Sequence, residues 1–113
     1  VRQYRARIQA MFEPEQTQEL AVALFQEIAA DEWVESPVGY KVNEYNEVYV
    51  EFDIVLDEGE ADSPALMMDN AWCLASNIYT NATWSLHVIP KSMGLVLTEI
   101  PDPIIEGATN TGR

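Results

Sequence analysis

The 113 residues are 48% hydrophobic and carry a net charge of -13, from 19 Asp+Glu against 6 Lys+Arg. That length suits one domain with its own core, and Cys73 as the only cysteine rules out an internal disulfide. No apolar run approaches the roughly 18 residues of a membrane span, and the sign of the charge argues against direct nucleic-acid binding and against anionic membranes.

In chain order, Tyr4, Ala6, Ile8, Ala10 and Phe12 alternate with Arg5, Arg7, Gln9 and Met11, the period-2 pattern of a half-buried strand. Pro14 marks a helix start, and Leu20, Leu24 and Ile28 recur every four residues as the apolar stripe of a first helix ending near Ala30 or Asp31. Val38, Tyr40 and Val42 alternate with Gly39, Lys41 and Asn43 as a second strand. Glu44 to Glu47 reads as a hairpin turn, with Asn46 able to take a positive φ. Val48, Val50, Phe52, Ile54 and Leu56 form one side of a third strand; Glu47, Tyr49, Glu51 and Asp53 form the other.

The charged loop Asp57 to Asp62 leads to Ser63-Pro64, an N-cap followed by proline at the first helical position. A second helix is expected to about Asn81, with Met67, Ala71, Leu74 and Ile78 beside Met68, Trp72, Ala75 and Tyr79. Thr83 to Ile89 reads as the fourth strand, with Trp84, Leu86 and Val88 inward and Ser85, His87 and Ile89 outward. Leu95 to Ile100 is expected as an extra C-terminal strand stopped by Pro101 and Pro103. Residues 1–104 are expected to form one domain and 105–113 a flexible tail.

The expected fold is therefore α+β: a ferredoxin-like β-α-β-β-α-β order with an extra C-terminal strand, two helices covering one face of an antiparallel sheet. On the open face Arg5, Arg7 and Gln9 would lie beside Tyr49, Glu51 and Asp53, with Ser85 and His87 on the far side. Such charges usually pair across strands. The alternative is a ligand site in which Arg5 and Arg7 bind an acidic group and His87 moves a proton.

No metal site is expected, because His87 and Cys73 alone do not make one. Gly59 sits third in the Asp57 to Asp62 cluster and no terminal glutamate follows, so it is not a calcium loop. Nucleotide and hydrolase motifs are missing, and no cofactor is expected.

The charge is uneven. From Glu13 to Asp62 there are 15 acids and one base, a net of -14. The first functional expectation is thus a non-enzymatic, cytoplasmic protein-binding module of inhibitor or adaptor type. It would dock on a basic protein through Glu44, Glu47, Asp57, Glu58, Glu60 and Asp62, with Trp72 as an apolar anchor. The alternatives are a small-ligand binder or cofactor-free enzyme using the open sheet face, and a homo-oligomeric assembly protein, in the simplest form a homodimer. In size and strand order the chain resembles the cofactor-independent monooxygenases of dimeric α+β barrel architecture, although no residue motif ties it to them.

Overall fold

A computed structural model describes residues 1–12, 17–57 and 63–100, the Thr17 side chain excepted. Its elements are β1 (Arg2–Met11), α1 (Thr17–Ala29), β2 (Ser36–Val42), β3 (Glu47–Leu56), α2 (Pro64–Ser85) and β4 (Ser92–Ile100). The four strands form one antiparallel sheet in the order β2-β3-β1-β4, the ferredoxin-like split βαβ arrangement.

Alternation decides which face the helices cover. Tyr4, Ala6, Ile8 and Ala10 of β1 pair with Ile54, Phe52, Val50 and Val48 of β3, and all eight are buried. Ala21, Leu24 and Ile28 of α1 and Met67, Ala71, Ala75 and Ile78 of α2 close the core over them. Small and large residues match across the strands: Ala6 lies between Phe52 and Leu97, and Ala10 between Val48 and Met93.

The local signals for turns and caps act as expected. Ser63 caps α2, its hydroxyl accepting from the Leu66 N–H at 3.1 Å, with Pro64 in the first turn. In the hairpin the Asn43 side-chain oxygen accepts from the N–H groups of Tyr45 and Glu47, and Asn46 has φ 63°.

The region after residue 81 departs from the expectation. Thr83–Ile89 is not a strand, because α2 continues to Ser85. Ala82 follows Ile78 by four residues and Thr83 follows Tyr79 likewise, so the buried helical stripe continues through Thr83. The Val88 N–H then donates to the Thr83 carbonyl and the His87 N–H to the Trp84 carbonyl. With His87 left-handed at φ 58°, these bonds form a Schellman stop. The only histidine is thus the exposed residue that ends the helix. The expected extra strand is itself the fourth one and begins at Ser92.

Cys73 is exposed on α2. Pro14, the 58–62 part of the acidic loop and the expected tail at 105–113 lie outside the described residues. No helix among the described residues is long and apolar enough to cross a membrane.

Candidate functional site

The sheet face turned away from the helices is built in rows across β2, β3, β1 and β4. Ser36, Asp53, Arg5 and Thr98 form one row; Gly39, Glu51, Arg7 and Val96 the next; Lys41, Tyr49, Gln9 and Gly94 the third. Arg5, Arg7 and Gln9 do lie beside the strand that carries Tyr49, Glu51 and Asp53, and the register sets Arg5 opposite Asp53, Arg7 opposite Glu51 and Gln9 opposite Tyr49.

Their chemistry differs from row to row. Arg5 and Asp53 form a two-pronged pair, Nε to Oδ1 at 2.9 Å and a terminal nitrogen to Oδ2 at 3.2 Å. The Asp53 side chain is 7% exposed and that of Arg5 45%. Hydrogen bonding to Asp53, then its charge, raises the Arg5 pKa above its ordinary value. This pair is structural, since each partner's charge is already matched.

Arg7 does not pair with Glu51. Its guanidinium carbon lies 4.9 Å from the centroid of the Tyr49 ring, and the Lys41 ammonium approaches the same ring at 5.1 Å. Both contacts are cation–π attractions between a positive group and the ring's electron-rich face. A cavity of about 370 Å³ adjoins them, lined by Arg7, Gln9, Tyr49 and Gly94 to Val96. A Cβ added at Gly94 would meet no atom within 4 Å. The Gln9 amide NH₂ donates to Glu47, which also accepts from Asn43 at 2.7 Å.

His87 does not join this face. It sits at the helix end, so the expected proton-transfer role loses its geometry. The described members of the expected partner-binding set are not gathered on one surface either. Glu44 and Asp57 flank opposite ends of the ten-residue β3, about 30 Å apart at the rise of an extended chain. Glu47 is engaged with Gln9 and Asn43, and Trp72 is exposed on the helix layer. Glu58, Glu60 and Asp62 lie outside the described residues. No group of three or more His, Cys, Asp or Glu among the described residues could hold a metal ion.

Lys41, Gly94 and Val96 were missed from sequence. The expected turn over Glu44 to Glu47 would set Lys41 opposite Val50, whereas the observed loop between Asn43 and Glu47 is one residue different in register and sets it opposite Tyr49. Gly94 and Val96 were hidden by the misplaced fourth strand.

No known family pattern and no curated protein matches the chain. Among solved structures, the Mycobacterium tuberculosis protein Rv0793 is similar at a TM-score of 0.50 and 11% identity, over 88% of this chain and 96% of that one. A Chloroflexus aurantiacus J-10-fl protein provisionally named an antibiotic biosynthesis monooxygenase aligns at a TM-score of 0.47 and 13% identity, over 88% and 95%. Agrobacterium tumefaciens Atu4242 aligns at a TM-score of 0.44 and 8% identity, over 88% and 93%. The likeness to Rv0793 agrees with the ferredoxin-like α+β fold.

Proposed function

We propose that this protein binds a small organic anion on the open sheet face, beside the Tyr49 ring. The observation that carries the reading is Arg7. Its guanidinium is held against Tyr49 at the wall of a cavity of about 370 Å³, with no carboxylate partner among the described residues. That volume is at the lower end of the range for ligand pockets. The planar fork of Arg7 suits a carboxylate, which it can hold by two parallel hydrogen bonds. The Gln9 carbonyl oxygen is free to accept from a hydroxyl, since its amide NH₂ is turned to Glu47. Val96 supplies an apolar side chain, and Gly94, lacking one, leaves room beside it. A hydroxylated aromatic carboxylate has all three complements.

Calorimetric titration with benzoate, salicylate and 4-hydroxybenzoate tests this. The expected result is saturable binding at one site that weakens about tenfold or more in Arg7→Ala. Gly94→Leu, which grows into empty space, should abolish binding and leave the fold intact. Affinity in Arg7→Ala and Gly94→Leu unchanged from that of the unsubstituted protein would rule the site out.

A second reading keeps the protein-binding role but moves it to the corner of α1 and β2. There Trp33, Val38 and Tyr40 are exposed, as are Glu27, Glu32 and Glu35 of the same segment, and the Phe25 ring packs on Tyr40 at a tilt of 42° with centroids 5.2 Å apart. A basic segment with one apolar anchor would fit this chemistry. Its affinity for immobilised polylysine should fall steeply between 50 and 300 mM salt, about a Debye-length effect, and Trp33→Ala should weaken it. Salt-independent binding would exclude it.

A further inference from the structure

The two edges of the sheet are built differently. The β2 edge carries Pro37, Lys41 and a register shift between Pro37 and Gly39. A missing N–H, a lysine and a bulge are the usual devices that keep an edge from pairing with another chain. The β4 edge has none of them. Its nine residues pair with β1 in unbroken register, contain no proline and no lysine, and hold one charge, Glu99. That charge is occupied by Arg2 at 3.1 Å.

Charge distribution favours this flank. Residues 63–100, which supply α2 and β4, include Asp69, Lys91 and Glu99 as their only acids and bases, a net of -1. The -14 stretch lies in α1, β2, β3 and the adjoining loops. Two copies could approach along β4 with far less repulsion than along any other edge. The strand also suits self-pairing, because Leu95-Val96-Leu97 reads the same in both directions about Val96. Leu95 and Leu97 are only half-buried, and Val96 is 61% exposed.

We infer that β4 is the docking strand for a second copy of this chain, paired antiparallel about a dyad at Val96. The eight strands then form one continuous sheet. Leu95 of one copy stands opposite Leu97 of the other on the helix side, and the two Val96 side chains meet on the open side. The two cavities beside Gly94 to Val96 come to lie on either side of the dyad. The inference rests on the strand edges and charge, so it stands whether or not an anion binds at Tyr49.

Sedimentation equilibrium of the full chain, from 1 to 200 µM, combined with amide hydrogen exchange tests it. The expected result is a dimer whose residue 92–100 amides exchange more slowly as concentration rises. Val96→Lys places two ammonium groups opposite each other and should raise the dimer Kd about tenfold or more. Val38→Lys, on the opposite edge, should leave it unchanged. A monomer throughout the range would overturn the inference. So would a dimer with unprotected β4 amides, or one dispersed by Val38→Lys and not by Val96→Lys. Amides protected equally at every concentration in a protein that sediments as a monomer would also overturn it, showing the edge covered by the chain's own residues 101–113.

Discussion

Phe52→Ala should destabilise the fold by about 3–5 kcal/mol, toward the upper end of that range, read from the midpoint shift of urea unfolding. Phe52 is fully buried on β3, on the helix side of the sheet. Truncation forfeits the transfer free energy of the ring and leaves a cavity whose cost depends on how far the neighbours collapse. The residue directly opposite is Ala6, which has one methyl group and no rotamer with which to refill the space. The flanking β3 residues on the same face, Val50 and Ile54, are fully buried and β-branched, so their side chains have little freedom to turn inward. Phe52→Leu should cost markedly less, because it restores most of the volume. Equal losses for the two variants would mean that packing around Ala6 is not the source of the effect.

Arg5→Ala should cost more than Asp53→Ala, about 2 against about 1 kcal/mol near neutral pH. The asymmetry follows from burial. Removing Arg5 leaves the Asp53 carboxylate in a nearly dry position without its base, whereas removing Asp53 frees a half-exposed arginine to turn into water. The double variant should be less damaging than the sum of the two, since the unpaired buried charge is then gone. Chemical denaturation of the four proteins at one pH gives the cycle. A larger loss for Asp53→Ala would show that the carboxylate has other essential partners.

The two variants also separate structure from site on one face. Arg5 and Arg7 are two residues apart on the same strand face and look equivalent in sequence. Arg5 finds Asp53 across the strand and is spent on the fold. Arg7 faces Glu51 in register yet lies over Tyr49, beside the cavity. Arg7→Ala is accordingly expected to change ligand affinity with little effect on stability.

Tyr79 shows the other way a polar group can be held. Its ring is buried on α2, its hydroxyl has no hydrogen-bond partner among the described residues, and burial pushes the phenol up from its ordinary value. It stays neutral and serves the core.

Sequence periodicity alone determined most of the fold. Alternation over Tyr4–Phe12 and Val48–Leu56 and the fourfold spacing of Leu20, Leu24 and Ile28 each bury one continuous face, so few other arrangements satisfy them. The positive φ of Asn46 in the hairpin and the Ser63-Pro64 cap were legible because they depend on residues a few positions apart, whereas the Asn43 side chain that closes the turn was read as part of the strand. Thr83 to Ile89 could not be decided in this way. Its alternation of Trp84, Leu86 and Val88 fits a strand, while Ile78 to Ala82 and Tyr79 to Thr83 fit a continuing helix. Only the packing of α2 on the sheet, which buries Ala82 and Thr83, selected the helix. That choice moved His87 off the open face and brought Gly94 and Val96 onto it. The pairing of Arg5 and the release of Arg7 were likewise tertiary outcomes, because register sets which residues are opposed but side-chain packing decides which of them bond.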